Sequence, residues 1–193
     1  MPYLLYLALI ACSSLAAIAL PQRARADAQV SARNQLEFGK RTAQVGDEFV
    51  VALGLRADVM FGPARAGAFR IGPAFELRTV DFWSAEAAAG AGILLPIFDS
   101  YPIGLYGLVG AATRKKAPDG AVAIGTATWG FRGYNYKGWY AYGLNLFVSG
   151  RKHLGDEPLM EITAGVEVDM QFTTIIPVAA IYNLFHAGDP YEK

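Results

Sequence analysis

Apolar side chains occupy every second position over residues 160–170, within the segment 159–170. One face carries Glu161, Thr163, Gly165, Glu167 and Asp169, and the other carries Met160, Ile162, Ala164, Val166, Val168 and Met170. Successive side chains of a β-strand point to opposite sides of the sheet, so this pattern predicts a strand with one charged and one apolar face. A strand of this length can cross a bilayer if it belongs to a closed barrel with its charges inside.

Seven other segments repeat the alternation, separated by turn residues such as those of Ala117-Pro118-Asp119-Gly120. With 159–170 they predict eight strands, at 48–61, 69–82, 83–95, 102–112, 121–132, 139–149, 159–170 and 174–185. The third is rich in alanine, but Gly90 and Gly92 lie within it, and each glycine costs about 1 kcal/mol in a helix. The predicted fold is all-β: an eight-stranded antiparallel up-and-down transmembrane β-barrel.

The first 26 residues are interpreted as an export signal. Residues 3–20 are almost entirely apolar, and Ala24-Arg25-Ala26 has the small residues that a signal peptidase requires, so cleavage is expected before Asp27. The alternative is lipidation of Cys12, the only cysteine, which follows the lipobox-like run Leu9-Ile10-Ala11. The predicted organisation is a cleaved signal peptide (1–26), an N-terminal periplasmic segment (27–47), the barrel (48–185) and a C-terminal tail (186–193).

Cleavage would leave 193 − 26 = 167 residues, of which 15 are Lys or Arg and 17 are Asp or Glu, for a net charge of −2. This near-neutral balance gives no reason to expect nucleic acid as a partner.

Eleven charged side chains are predicted to point into the barrel: Glu48, Arg56, Asp58, Arg70, Glu76, Arg78, Glu86, Arg132, Glu161, Glu167 and Asp169. An eight-stranded barrel has an interior that side chains can fill. Arginine is suited to such an interior because its guanidinium offers several fixed donors to carboxylates. We therefore expect a lumen closed by paired charges, and the alternative is an ion or proton pathway along the same residues.

Glycines on the inward face are expected to leave room for large inner side chains such as Tyr106: Gly54, Gly72, Gly90, Gly92, Gly104, Gly110, Gly143 and Gly165.

Aromatic residues cluster near the predicted strand ends, where rings would lie at the bilayer–water interfaces. The predicted interfacial aromatics are Trp83, Trp129, Tyr134, Tyr136, Trp139 and Tyr140.

No catalytic, cofactor-binding or metal-binding residues are predicted, and the chain is not expected to be an enzyme. Its two histidines are His153 and His186. His153 lies in the mixed-charge run 151–157 and is interpreted as a solvated loop residue, with no serine two positions away. His186 follows the last predicted strand without an evident nucleophile. An enzyme acting on lipid A would need a serine beside a histidine near a membrane-facing site.

Over residues 48–185 the strand pattern resembles the small outer-membrane β-barrel proteins of Gram-negative bacteria, the OmpA-, OmpX- and OmpW-like group. The resemblance implies location in the outer membrane, insertion by the barrel-assembly machinery, and contact with outer-membrane lipid and lipopolysaccharide. It implies a structural or partner-binding role, with an unidentified protein partner. The alternatives are a conduit for small hydrophobic or ionic solutes and a soluble periplasmic ligand-binding β-barrel.

The connections depart from the usual pattern of this group, which has long outer loops and tight periplasmic turns. Counting strands from residue 48 with the N-terminus inside places the longer connections, 113–120 and 150–158, on the periplasmic side. A further strand around 35–41 would reverse this assignment.

Overall fold

The computed structural model describes residues 28–43, 46–63, 68–80, 82, 84–98, 100–113, 120–133, 140–154, 159–175 and 177–178. Eight strands account for most of them: β1 Ala28–Ala43, β2 Gly46–Phe61, β3 Arg70–Val80, β4 Ser84–Leu95, β5 Ile103–Thr113, β6 Gly120–Arg132, β7 Gly143–Leu154 and β8 Met160–Asp169. A π-helical turn at Gln171–Ile175 follows β8. No helix in these ranges is long and apolar enough to cross a membrane.

Each strand pairs antiparallel with the next one in sequence, and β8 pairs with β1 to close the barrel. A path drawn through the paired residues from Ala32 around the barrel returns to β1 at Thr42, a stagger of 42 − 32 = 10 residues. A stagger of this kind accompanies strands tilted by about 35–45° from the barrel axis. The predicted eight-stranded antiparallel up-and-down barrel is confirmed.

The identities of the first and last strands differ from the prediction. Residues 27–47 were predicted to lie outside the barrel, but Ala28–Ala43 forms β1 and pairs with both β2 and β8. The predicted strand at 174–185 begins in the π-helical turn instead, and its residues 176 and 179–185 lie outside the described residues. β1 joins the barrel because its inward positions carry polar Arg33, Gln35 and Glu37, which can occupy the interior, while Leu36 and Phe38 face outward.

Apolar side chains cover the outside of the barrel and charged side chains fill much of the inside. Exposed outward residues include Leu36, Val51, Leu53, Leu105, Val109, Leu146 and Ile162. In contrast, Arg56 and Glu167 are only 1% and 0% exposed. This is the orientation of a transmembrane β-barrel, whose outer wall faces hydrocarbon. The alternative, a soluble ligand-binding barrel, would instead require polar side chains on its outer face.

The two ends of the barrel differ in their connections. β1 begins and β8 ends at one end, called here the Ala28 end, which also carries connections 62–69, 96–102 and 133–142. The opposite Ala43 end carries connections 44–45, 81–83, 114–119 and 155–159. Connections 114–119 and 155–159 therefore lie at the end opposite to the start of β1. This is the arrangement expected if a further strand around residues 35–41 precedes the strand at residue 48.

The inward glycines leave room for different neighbours. A Cβ on Gly92 or Gly104 would lie 2.5 Å and 2.9 Å from the Tyr106 ring, as expected from the sequence. A Cβ on Gly72 or Gly110 would instead meet a backbone oxygen of the adjacent strand, at 1.8 Å from Val59 and 2.0 Å from Ala87. These two positions need glycine because neighbouring backbones approach closely, and not because of a large side chain.

We expect Gly72→Ala to lower the free energy of unfolding by about 1–3 kcal/mol, the usual range for overpacking, because the carbonyl of Val59 is part of the barrel wall. Gly107→Ala is the matched control, since a Cβ there would have no heavy atom within 4 Å. Urea titration of the two variants in detergent measures the difference. Equal stability of both would contradict the close approach at Gly72.

Candidate functional site

The interior of the barrel holds ten of the charged residues predicted to face inward. Each is 5% exposed or less: Arg56, Asp58, Arg70, Glu76, Arg78, Glu86, Arg132, Glu161, Glu167 and Asp169. Glu48 is the exception, because its side chain lies at the rim of the Ala43 end and is 67% exposed. Eight of the ten belong to one connected set of ion pairs, and the other two, Arg70 and Asp169, lie near the Ala28 end.

This connected set is called here the ion-pair ladder. Counting pairs of arginine and carboxylate at 3.6 Å or less, it contains six arginines, Arg33, Arg41, Arg56, Arg78, Arg132 and Arg151, and six carboxylates, Glu37, Asp58, Glu76, Glu86, Glu161 and Glu167. Positive and negative groups alternate along it from one end of the barrel to the other. Its formal charge is zero.

At the Ala28 end the ladder begins with Arg132. Its guanidinium lies 2.8 Å from Asp58, and Asp58 also lies 3.6 Å from Arg33. Arg33 reaches Glu167 on β8 at 3.2 Å. Residues from β6, β2, β1 and β8 therefore meet in the interior, although β6 is hydrogen-bonded to none of the other three strands.

The middle of the ladder centres on Arg56 and Glu76. Arg56 pairs with Glu167 and lies 2.6 Å from Glu76, and Glu76 also pairs with Arg151. The Arg56 guanidinium lies 4.8 Å from the centre of the Tyr106 ring and 5.6 Å from that of Phe147. The two aromatic rings add favourable cation–π contacts to the buried guanidinium of Arg56.

Near the Ala43 end, Arg151 and Arg78 share Glu37, each at 3.1 Å. Arg78 also pairs with Glu161, which lies 3.0 Å from the partly exposed Arg41 at the rim. A second carboxylate, Glu86, lies 3.3 Å from Arg78 and 3.4 Å from Arg151. Arg78 therefore contacts three carboxylates.

Neutral polar side chains complete the hydrogen bonding of the buried carboxylates. Gln35 and Asn145 each donate to Glu167 at 3.2 Å, and the Thr163 hydroxyl donates to Glu37 at 2.9 Å. Burying an ion pair costs several kcal/mol per ion in lost hydration, and this is offset only when the remaining acceptor sites are also filled. The ladder meets that condition at Glu37 and Glu167.

An apolar cluster occupies the part of the interior formed mainly by β4, β5 and β6. Its buried members are Met60, Ala74, Ala88, Leu94, Tyr106, Leu108, Val122 and Ile124. The Tyr106 hydroxyl donates to Asp58 at 3.1 Å, so Tyr106 links this cluster to the ladder. The interior is thus charged on one side and apolar on the other, which the sequence prediction did not anticipate.

Four buried ionisable residues were missed or misplaced by sequence reasoning: Arg33, Glu37, Arg151 and His153. The prediction of His153 as a solvated loop residue is wrong. It is 2% exposed, and its Nε2 lies 3.5 Å from Glu86. The reason is that β7 continues to Leu154 instead of ending at residue 149. The signal was available, because Arg151 and His153 continue the inward positions of Asn145 and Ser149.

Two of the six predicted interfacial aromatics, Trp129 and Tyr140, lie within the residues that the structure describes. Trp129 lies on the outer face of β6 toward the Ala28 end and is 51% exposed, as expected. Tyr140 does not face outward: its hydroxyl lies 3.1 Å from the carbonyl of Ala32 and 3.0 Å from Asp169. Tyr140 is turned inward because these polar groups at the strand ends supply hydrogen-bond partners. Trp83, Tyr134, Tyr136 and Trp139 lie outside the described residues.

A row of aromatic side chains lines the outer wall at the Ala28 end. Tyr101 contacts Phe131, Phe131 contacts Tyr142, and Tyr142 contacts Phe172, with ring centres 5.9, 5.8 and 6.4 Å apart. Aromatic rings are favoured at the interface between hydrocarbon and water. Within the described part of the chain, no group of three or more His, Cys, Asp or Glu side chains is arranged to hold a metal ion.

Comparison with known proteins gives likeness in three-dimensional structure alone. The outer-membrane protein Ail of Yersinia pestis in a nanodisc is 13% identical, with a TM-score of 0.35, over 72% of this chain and 99% of that chain. A de novo designed transmembrane β-barrel is 9% identical, with a TM-score of 0.36, over 71% and 94%. The S-type phycobiliprotein lyase CPES of Guillardia theta is 9% identical, with a TM-score of 0.30, over 70% and 86%.

No protein-family model and no curated protein sequence matches this chain. Identities of 13% or less with TM-scores below 0.5 assign no function to it.

Proposed function

We propose that this protein is an outer-membrane β-barrel whose lumen is closed by the ion-pair ladder, and that it serves as a structural or partner-binding element. The observation that carries the proposal is the continuous alternation of buried arginines and carboxylates from Arg132 to Arg41. Each charge in the ladder has an opposite charge within ion-pair distance. Moving one aside to admit water or solute would break at least one of these ion pairs in the interior, which is strongly unfavourable.

Location in the outer membrane is supported by two further features. The exposed apolar wall matches the hydrocarbon of a bilayer, and the N-terminal residues have the pattern of an export signal. The proposal includes insertion by the barrel-assembly machinery, contact with outer-membrane lipid and lipopolysaccharide, and an unidentified protein partner. It includes no catalytic step.

A second candidate is a narrow conduit for protons or small ions. The observation in its favour is that the ladder runs between the two ends of the barrel, so that charged groups are available at every level. The filled apolar side of the interior and the fully paired charges favour the closed barrel instead.

The proposal is tested by cell fractionation, gel migration and bilayer recording on the same preparation. We expect the protein in the outer-membrane fraction, faster migration on a gel before boiling than after, and no conductance steps in a planar bilayer. Recovery in the soluble periplasmic fraction would contradict the membrane location. Reproducible conductance that Arg56→Met alters would contradict the closed lumen and favour the conduit.

A further inference from the structure

A surface groove with a volume of about 580 Å³ lies on the outer wall toward the Ala43 end of the barrel. Apolar side chains from four strands line it: Phe38, Phe49, Val148, Met160, Ile162 and Ala164. Phe49 is 73% exposed, and Val148, Met160 and Ile162 are each more than half exposed. Its volume is in the range of small-molecule sites, and its position on the outer wall makes it accessible from the bilayer.

The strand registers explain the shape of the groove. Phe38 on β1, Ala164 on β8 and Val148 on β7 lie side by side in one row of paired residues. The small Ala164 forms the floor between the larger Phe38 and Val148. On β7, the next outward position toward the Ala43 end is Gly150, where a Cβ would meet nothing within 4 Å. The groove therefore continues toward the rim.

Two lysines flank the rim end of the groove. Lys40 on β1 pairs in register with Ile162, and Lys152 on β7 pairs with Met160. β1 and β7 lie on either side of β8, so the two lysine backbones are about 10 Å apart across the strands, and they are offset by two residues, about 7 Å, along them. Both side chains are exposed on the outer face. They can reach a group at the surface whose apolar part lies in the groove.

Lys40 already holds an anion. Its Nζ lies 2.6 Å from Asp47, whose side chain is 51% exposed. The hydrogen bond from Lys40, with a second from Thr42, lowers the pKa of the Asp47 carboxyl. Lys40, Lys152 and Asp47 together carry one net positive charge next to an apolar groove, which matches an amphiphile with a negatively charged head.

We propose that this groove binds a phosphate-bearing anionic lipid of the surrounding bilayer, with an acyl chain over Ala164 between Phe38 and Val148 and the phosphate between Lys40 and Lys152. The proposal rests on the membrane location under the proposed function. The groove supplies apolar contact, and the lysines supply charge at the depth of the headgroups. Asp47 competes with the phosphate for Lys40.

The test is native mass spectrometry of the detergent-solubilised protein titrated with phosphatidylglycerol, and separately with phosphatidylcholine. We expect tighter binding of phosphatidylglycerol to the wild type. The variant Lys40→Gln/Lys152→Gln is expected to bind it about thirty-fold more weakly, since each lysine near an anionic headgroup contributes a several-fold gain. Asp47→Asn is expected to bind several-fold more tightly because it frees Lys40.

The matched control is the charge-conserving Lys40→Arg/Lys152→Arg, which is expected to bind as the wild type does. Ala164→Phe fills the floor of the groove and is expected to weaken phosphatidylglycerol binding, whereas inorganic phosphate alone should not compete at millimolar concentration. Unchanged binding in Lys40→Gln/Lys152→Gln or in Ala164→Phe would overturn the proposal. Heat-modifiable migration of each variant shows separately whether the membrane barrel itself is intact.

Discussion

Replacing Arg78 with methionine is expected to lower the free energy of unfolding in detergent by about 3–5 kcal/mol, the usual cost of breaking a buried ion pair. Arg78 lies 3.1 Å from Glu37 and 3.3 Å from Glu86, and it also pairs with Glu161. Methionine fills a similar volume but leaves three buried carboxylates without this cation. Urea-induced unfolding followed by tryptophan fluorescence or gel migration measures the change.

Two further variants separate the effect of charge from that of packing. Lys40→Gln removes the cation of an exposed pair, with side chains 61% and 51% exposed, and should cost no more than about 1 kcal/mol. Adding Glu161→Gln to Arg78→Met removes the charge of one carboxylate that has lost its pairing with Arg78. The double variant should therefore recover part of the lost free energy of unfolding. A cost for Arg78→Met as small as that for Lys40→Gln would show that the ladder does not stabilise the barrel.

Arginine in place of Val109 is expected to destabilise the barrel in lipid vesicles by about 2–4 kcal/mol, the cost of a cation on the lipid-facing side near the bilayer midplane. Val109 is 68% exposed on the outer face and lies near the middle of β5. There the arginine side chain would have to leave water for hydrocarbon. Unfolding by urea in vesicles of phosphatidylcholine provides the measurement.

The matched control is Leu154→Arg, at the last residue of β7, where a similarly exposed leucine lies at the rim. The cost there should fall to about 0–1 kcal/mol because the guanidinium can reach the headgroups. In a barrel with its outer wall in water, arginine at residue 109 would cost little. Equal stability of Val109→Arg and wild type would therefore contradict the transmembrane orientation.

The candidate lipid groove and the ion-pair ladder use opposite faces of the same strands. β1 and β8 present Phe38 and Ile162 outward to the groove while Glu37 and Glu161 point inward to the ladder. Variants on the outer face should therefore change lipid binding without changing the core, and variants of the ladder should do the reverse. This division follows from the two-residue period of a strand.

Much of the orientation of side chains could be predicted from the sequence, because inside and outside alternate along each strand. Arg56 and Glu167 were placed in the interior, and Val51 and Leu53 on the outer wall, from local pattern alone. The same rule extended over residues 150–154 would have placed Arg151 and His153 inside. These two residues were omitted because the predicted strand ended at residue 149, although the alternation continues beyond it.

The start and end of the barrel could not be predicted in the same way. The run after residue 171 is apolar, has no charges and contains Pro177, whereas Ala28–Ala43 carries Arg33 and Glu37 at inward positions, but neither pattern by itself gives the number of strands that closes the barrel. The tertiary structure decides between them, because β1 pairs with both β2 and β8 and so closes the barrel.

The sequence by itself determined that this chain forms strands with a charged face and an apolar face, since that property depends only on neighbours two residues apart. Only the tertiary structure decided which charges meet. Glu37 contacts Arg78 and Arg151, which lie 41 and 114 residues away. Such partners are set by the register and the stagger of the closed barrel, which bring distant strands to the same height, and no local pattern encodes that height.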